Sequence, residues 1–174
     1  VKLILSTNAG LRSADWWRAL GDLFARNNSV VEFHIDGLAD TNHLYRVNTR
    51  FAKIMANAAA YLETGSVGEW HFIPFQHNQH QITEALELSR EMGFANFKVI
   101  DTIRFGKENS FNYQMPDGTL RALKPADPQF IAAQAQSDDR GEIEEGSVDS
   151  NSIPRINCKS ENENRPYIVA TGAV

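Results

Sequence analysis

The chain has 174 residues, 42% of them hydrophobic, which is enough to bury the core of about one domain. Its 17 basic and 22 acidic residues give a net charge of -5, with neither sign gathered into a long arm, so the charge pattern typical of nucleic-acid binders is missing. No apolar run approaches the ~18 residues of a membrane span, and no secretory signal is recognisable, so we expect a cytoplasmic protein. The single cysteine, Cys158, excludes an internal disulfide and any multi-cysteine metal site made by this chain alone.

The first predicted unit is a strand followed by a helix. An apolar run from Leu3 to Leu5 ends in the polar segment from Ser6 to Gly10, and Ser13 is placed to cap a helix. Apolar residues then recur at helical spacing, namely Trp16, Trp17, Leu20, Leu23 and Phe24. We expect this helix to lay one face on a sheet, with the two tryptophans packing there and not binding a ligand.

The second predicted strand provides the first functional candidate. β-branched and aromatic residues dominate Val30 to Ile35, and the run ends at Asp36 and Gly37, before a series of turn-forming residues. Ligands of parallel α/β proteins bind at the carboxyl ends of strands, which makes Asp36 a candidate binding residue. An aspartate before glycine is also a common turn residue, and the sequence leaves both interpretations open.

The third unit begins after a helix with an apolar stripe between Phe51 and Leu62, for which Gly65 is a typical C-cap. The strand from Trp70 to Phe75 follows. Its Pro74 has no N–H to donate, so we expect the strand to fray or bulge near its exit.

Asn78 and Gln81 then resemble a capping box for a helix that continues to Gly93, and Phe97 to Ile100 is the fourth predicted strand. Strands that start near residues 2, 30, 69 and 97 have the spacing of repeated βα units, which predicts an α/β fold with a parallel sheet. The spacing does not decide between an open sheet and a barrel. The chain has no glycine-rich phosphate loop, which weighs against a nucleotide-binding open sheet.

The composition changes after residue 105. The segment FNYQMPDGTLRAL predicts a hairpin around a Pro-Asp-Gly turn, and Asp127 with Pro128 predicts a short helix through Ala135. The stretch from Ser137 to Ser152 is acidic and rich in serine and glycine, so we expect a mobile surface loop there. We therefore divide the chain into residues 1–105, 106–152 and 153–174. Because it opens and closes within apolar patterns, we expect it to be a piece of a longer protein.

Polar residues follow all four predicted strands, and a parallel sheet would bring them to one edge. They are Thr7 and Asn8, Asp36, Gln76 to Asn78, and Asp101 with Thr102 and Arg104. A carboxylate there can accept from both hydroxyls of a ribose, and a guanidinium such as Arg46 or Arg104 can bind a carboxylate. Asn8 as a turn residue and Asn78 as a helix cap are the structural alternatives.

The histidines offer a second hypothesis, because imidazole is a common zinc ligand. His71, His77 and His80 are the candidate set for a metal-dependent hydrolase, although we expect His80 to face solvent from the first turn of a helix. There is no GxSxG nucleophile elbow, and Cys158 lies outside the βα units.

In order and spacing, four segments resemble the radical S-adenosylmethionine (radical SAM) enzyme family: STNAGLRS, EFHIDGLADTNHLYR, WHFIPFQHNQHQITEALELSREMGF and FKVIDTIRF. The terminal segment INCKSENENRPYIVATGAV resembles the start of the iron-sulfur extension called SPASM. The resemblance implies a partial (β/α)6 barrel, with about four βα units present, followed by a loop-rich extension.

The resemblance also implies roles for individual residues. Asp36 would hold the ribose of S-adenosylmethionine, while Asn8 and Asn78 line the same mouth. Arg46 would contact the carboxylate of the cofactor or brace its loop. The family often has a serine where this chain has His34, so the resemblance leaves that second ribose contact open.

The implied reaction is reductive cleavage of S-adenosylmethionine to a deoxyadenosyl radical that abstracts hydrogen, with an electron donor and a peptide or protein substrate as partners. A typical [4Fe-4S] cluster needs several cysteine thiolates, and the CxxxCxxC loop is absent, so we expect this chain alone to be inactive. Cys158 would ligate an auxiliary cluster or be a plain buried thiol. A non-catalytic α/β binding domain is the third hypothesis.

Overall fold

The structure is a computed structural model that describes residues 2–102, 105, 110–114 and 118–130. In chain order, its strands and helices are β1 (Ile4–Thr7), α1 (Ala14–Ala25), β2 (Val30–His34), α2 (Asn42–Tyr45), α3 (Phe51–Leu62), β3 (Val67–Phe72), α4 (Ile82–Glu91), β4 (Asn96–Val99), β5 (Phe111–Gln114) and β6 (Leu120–Leu123). A single 3-10 turn, Gln79–Gln81, precedes α4.

Strands β1 to β4 form one parallel sheet in sequential order. Connections between parallel strands are right-handed, so a sequential order places the intervening helices on one face of the sheet. A single apolar cluster that joins α1, α3 and α4 to β2 and β3 agrees with this arrangement. The predicted α/β fold, with four parallel strands that alternate with helices, is therefore confirmed.

The local signals for the helices act as predicted. The Ser13 hydroxyl caps α1 by accepting from the backbone N–H of Trp16 at 3.3 Å. Gly65 and Gly93, which follow α3 and α4, have positive φ angles of 78° and 84°, the left-handed conformation that glycine adopts without strain. The expectation that both tryptophans of α1 pack on the sheet is confirmed for Trp17, which lies in the core, and is wrong for Trp16, which is 41% exposed.

The helix-covered face of the sheet carries the large core side chains. Val31, Phe33 and Ile35 on and after β2 alternate with polar residues, and Trp70 and Phe72 do the same on β3. All five are fully buried, because successive side chains of a strand point to opposite faces and these point toward the helices. Burial of a side chain of this size contributes roughly 1.5–3 kcal/mol.

The opposite face, which we call the open face, is polar. Its residues on the four strands include Ser6, Glu32, His34, Glu69, His71, Asn96 and Lys98. Parallel sheets are usually apolar on both faces, so this composition is unusual for the fold.

Two local predictions concern the third unit. Strand β3 ends at Phe72, two residues before Pro74, so the predicted fraying near the proline is confirmed. The predicted capping box is wrong, because the Asn78 side chain makes no capping hydrogen bond to the turn that follows it. Its amide is bound instead by the backbone at the exits of β2 and β3.

The predicted hairpin is confirmed as the antiparallel pair of β5 and β6, and Gly118 has a positive φ of 85° in its turn. Residues 128–130 are helical, as expected after Asp127. Four predictions fall outside the described residues: the remainder of that helix, the acidic segment from Ser137 to Ser152, Arg104 and Cys158. In the described part of the chain, no helix has the length and hydrophobicity needed to cross a membrane.

Candidate functional site

Asp36 lies at the exit of β2, as predicted, and it is completely buried. Its Oδ2 accepts from Nε of Arg46 at 2.6 Å, and its Oδ1 accepts from the backbone N–H of Ile73 at 2.7 Å. Both oxygens therefore have protein partners, and the carboxylate ties the exit of β2 to the segment that follows β3. The predicted direct contact with a ribose stays a prediction, because in this geometry the carboxylate binds the protein itself.

The Arg46 side chain is 21% exposed, so its guanidinium lies at the boundary between the buried network and solvent. Asp36 holds it through Nε, and its Cζ lies 4.8 Å from the centre of the Tyr45 ring, within the range of a cation–π contact. Neither Nη nitrogen has a hydrogen-bond partner among the described residues. The arrangement fixes the orientation of the guanidinium and leaves donors for an anion.

Asn78 joins the same two strand exits from the other side. Its Nδ2 donates to the backbone oxygens of Asp36 and Ile73, both at 3.0 Å, and its Oδ1 accepts from the N–H of Phe75 at 2.6 Å. The residue is fully buried, so its amide satisfies backbone groups that the end of β3 leaves unpaired. Asn78 is therefore placed to shape the mouth of the sheet and not to face a ligand.

Two polar residues that were not predicted as members of the site complete the network. Asn42, fully buried at the start of α2, accepts from the N–H of Asp36 at 3.0 Å. Gln81 accepts from the N–H of Leu38 at 3.0 Å and from the Thr41 hydroxyl. The sequence analysis assigned Gln81 only to a capping box and gave Asn42 no role, because neither position carries a sign that its side chain will be buried.

Glycine is required where the chain turns into this loop. Gly37 has a φ of 131°, in the region that favours glycine, and a Cβ at this position would collide with the Thr41 side chain. The pair of Asp36 and Gly37 therefore forms a turn, as one of the two interpretations predicted. Asp36 also belongs to the buried hydrogen-bond network.

The remaining predicted residues lie at other strand exits. Asn8 follows β1 and is partly buried, and its Oδ1 accepts from the N–H of Gly10 at 3.0 Å, which is a local turn contact. Asp101 follows β4 and is exposed, with its Oδ1 accepting from the N–H of Thr102 at 2.7 Å. The described hydrogen bonds therefore join Asp36, Arg46 and Asn78 into one network, while Asn8 stands at the neighbouring exit.

The open face carries a second group of titratable side chains, in a repeated pattern of glutamate, aromatic residue and histidine. Glu32 and His34 lie on β2, and Glu69 and His71 lie at the paired positions on β3. Nε2 of His34 is 3.9 Å from Oε2 of Glu32, and Nε2 of His71 is 3.0 Å from Oε2 of Glu69. The sequence shows the repeat, but only the strand register shows that its members are neighbours.

The electrostatics of this group are set by burial and by nearby charges. Burial is the main cause that lowers the pKa of His34 to about 4, and the positive charge of Arg46 and the proximity of His71 act in the same direction. Burial by itself would raise the pKa of Glu69, but hydrogen bonds from Lys98, His71 and Asn96 lower it to about 2. At neutral pH, His34 is therefore uncharged and Glu69 is ionised.

The histidine set of the hydrolase hypothesis does not form a cluster in the described part of the chain. Among the described residues, one group has ligand atoms close enough to share a metal ion, and it consists of His71, Glu32 and His34. His77 instead stacks on Phe75, with ring centres 5.4 Å apart, and His80 is exposed on the 3-10 turn, as predicted.

No protein-family model matches the sequence, and no curated protein matches it either. Among solved structures, the chain is similar to hexahistidine-tagged anSMEcpe with bound AdoMet (17% identity), to native anSMEcpe with bound AdoMet (16%), and to native anSMEcpe with bound AdoMet and the Cp18Cys peptide (17%). Those structures are of radical SAM enzymes. Each similarity has a TM-score of 0.45 and covers 56% of this chain and 26% or 27% of the other. The chain thus spans about a quarter of the length of those proteins.

Proposed function

We propose that this chain is part of a radical SAM enzyme and that it binds S-adenosylmethionine at the carboxyl edge of its parallel sheet. The observation that carries the proposal is the Arg46 guanidinium, which the buried Asp36 holds in place while its Nη groups remain without partners among the described residues. The segment order that resembles the radical SAM family supports the assignment to that family.

Arg46 is the proposed direct contact. The methionine part of S-adenosylmethionine ends in a carboxylate, and a guanidinium can bind a carboxylate through two parallel hydrogen bonds. Because Nε is already engaged by Asp36, the ligand would be bound by the two Nη nitrogens. Asp36 then acts as a positioning residue, since it fixes the guanidinium and contributes no donor or acceptor of its own to the ligand.

Asn78 is proposed to act in the same indirect way. Its amide locks the backbone after Asp36 to the backbone at Ile73, which keeps the two strand exits at a fixed separation. Asn8, at the exit of β1, is the proposed polar contact on the neighbouring side of the mouth. Its Oδ1 is held by Gly10, whereas no hydrogen bond from its Nδ2 is present among the described residues.

The iron-sulfur cluster of the family does not fit this chain alone. In radical SAM enzymes, a [4Fe-4S] cluster supplies the electron that cleaves the cofactor. Cysteine thiolates hold such clusters, and this chain has one cysteine, so its own residues account for cofactor binding and not for the redox step. The electron donor and a peptide or protein substrate are proposals for the whole protein.

Equilibrium dialysis of the full chain with S-adenosylmethionine tests the proposal. Arg46→Ala should weaken binding about 10- to 100-fold, because a hydrogen bond to a charged group contributes about 1.5–3 kcal/mol. Methylthioadenosine, which lacks the amino-acid part of the cofactor, should bind the wild-type chain and the variant equally. Arg50→Ala, at an exposed arginine four residues away, is the matched control and should bind like wild type.

Asp36→Asn separates the positioning role from a direct one. It keeps the side-chain shape but removes the charge that holds Arg46, so we expect a smaller loss of affinity that is also specific to S-adenosylmethionine. An equal loss for methylthioadenosine would mean that Asp36 contacts the nucleoside part. If S-adenosylmethionine does not bind the folded wild-type chain, or if Arg46→Ala leaves its affinity unchanged, the proposed site is wrong.

A further inference from the structure

The repeated Glu-aromatic-His pattern of β2 and β3 places two histidines and a glutamate together on the open face. We propose that Glu32, His34 and His71 form a binding site for a divalent transition-metal ion of the zinc class. The site shares no residue with the neighbouring strand-exit network, and the proposal does not depend on S-adenosylmethionine binding.

The potential ligand atoms of Glu32, His34 and His71 lie close to one another. One ligand atom from each of the three residues lies within 4.8 Å of the others, and the His34 and His71 rings meet edge to face with centres 5.1 Å apart. Zinc bonds of about 2.0–2.1 Å in a tetrahedron require ligand atoms roughly 3.3 Å apart. The donors must therefore approach by up to about 1.5 Å, so the proposal requires rotation of the side chains about their χ angles.

The strand register keeps the ligands together. His34 and His71 are paired across β2 and β3, and Glu32 precedes His34 by two residues, so the pleat directs all three to one face. Two of the ligands therefore come from one strand and the third from its hydrogen-bonded neighbour. A site on regular strands holds its geometry better than one on loops.

Neighbouring residues provide the outer contacts that metal ligands commonly have. The Ser6 hydroxyl donates to Oε2 of Glu32, and Oε2 of Glu69 lies 3.0 Å from Nε2 of His71. A histidine held by a carboxylate through one ring nitrogen is oriented to bind a metal through the other. Lys98 pairs with Glu69 at 2.8 Å, which identifies Glu69 as the orienting carboxylate and leaves Glu32 as the charged ligand.

The ligand types select the ion. Imidazole suits zinc, iron, copper and nickel, whereas magnesium and calcium prefer sites made of oxygen ligands. Two histidines and one carboxylate are also the protein ligands of zinc sites that keep a fourth position for water or substrate. The Glu32 and His34 side chains are 24% and 23% exposed, so an ion can reach the site from solvent.

Calorimetric titration of the metal-free full chain with Zn²⁺ tests the inference. We expect about one equivalent to bind, with at least a tenfold loss of affinity in His34→Ala, His71→Ala and Glu32→Gln. His43→Ala and His80→Ala replace exposed histidines outside the cluster, and Cys158→Ser removes the one thiol. These three control variants should bind Zn²⁺ like wild type.

A second measurement guards against variants that do not fold. Glu32→Gln preserves the side-chain shape, so it decides the question if a histidine variant loses its circular dichroism signal. Zn²⁺ should raise the melting temperature of the wild-type chain and raise it less in Glu32→Gln, because a ligand that binds only the native state stabilises it. Absence of Zn²⁺ binding, or binding lost in Cys158→Ser or His80→Ala but kept in Glu32→Gln, would overturn the inference.

Discussion

The two faces of the parallel sheet differ in nearly every respect, although the same strands build both. On β2, Phe33 is fully buried beneath the helices, while its neighbours Glu32 and His34 lie partly exposed on the open face. The same contrast separates Trp70 from Glu69 on β3. One face supplies the apolar burial that stabilises the fold, and the other presents charged and titratable groups.

The two faces also differ in how their side chains are satisfied. A parallel sheet that only needed to be stable would bury apolar residues on both faces. Here the open face uses paired charges and hydrogen bonds, such as those that Glu69 makes with His71, Asn96 and Lys98. The side chains of Glu69 and His71 are only 15% and 8% exposed, so this face places ionisable groups where a parallel sheet usually has apolar ones.

The largest difference in stability should be seen between two variants of β2, each with one residue of a different face replaced by alanine. Phe33→Ala removes a ring that packs against Trp17, Tyr61 and Phe94, and it should cost about 3–5 kcal/mol in the free energy of unfolding. Glu32→Ala, one residue earlier, should cost no more than about 1 kcal/mol. Urea denaturation followed by circular dichroism measures both, and equal losses would contradict the division of roles between the faces.

A smaller effect is expected at the exit of β3, where His77 stacks on Phe75 and its Nε2 is buried with no hydrogen-bond partner among the described residues. Burial, followed by the charges of His80 and His43, lowers the pKa of His77 from 6.5 to about 4. Between these values the unfolded chain binds more protons than the folded chain, so the free energy of unfolding falls as the pH is lowered through this window.

His77→Phe keeps the ring but removes the titration, so the chain should lose less stability on acidification from pH 6.5 to about 4. We expect the difference from wild type to be on the order of 1 kcal/mol once solvent screening is allowed for. Urea midpoints across this pH range measure it. His80→Gln should change the slope less, because burial is the largest cause of the shift, and parallel pH profiles for wild type and His77→Phe would contradict the assignment.

The smallest effect should come from the open face. The Lys98 side chain is 50% exposed and pairs with Glu69 at 2.8 Å, so Lys98→Ala should cost only about 0.2–1 kcal/mol. Thermal melts at low and high salt measure this loss, and it should shrink as salt screens the pair. A loss as large as that of Phe33→Ala would mean that the open face is part of the core.

Much of the fold follows from local patterns. The Ser13 cap, the glycines after α3 and α4, and the proline beyond β3 act through short-range physics that is visible in the sequence. The capping box failed for the opposite reason, because tertiary contacts from the exit of β2 recruit the Asn78 amide. A motif defined by spacing cannot show which of two partners its side chain will take.

The site was predictable only in part. Asp36 stood out because it ends an apolar run, and the resemblance drew attention to Arg46, but neither signal showed that the two form an ion pair. Asn42 gave no signal and Gln81 gave only that of a capping box, since their burial depends on how the exit loops pack. The repeat of glutamate and histidine on β2 and β3 is present in the sequence but was not predicted to form a site, because its members become neighbours only through the strand register.

The most direct measurement of the central claim is a two-dimensional amide NMR titration of the full chain with S-adenosylmethionine. Binding at the strand exits predicts shift changes concentrated at the exits of β2 and β3, around Asp36, Arg46 and Asn78, with little change in α1 and α3. Shift changes confined to the helix-covered side, or none at saturating ligand, would contradict the claim that the strand exits bind the cofactor.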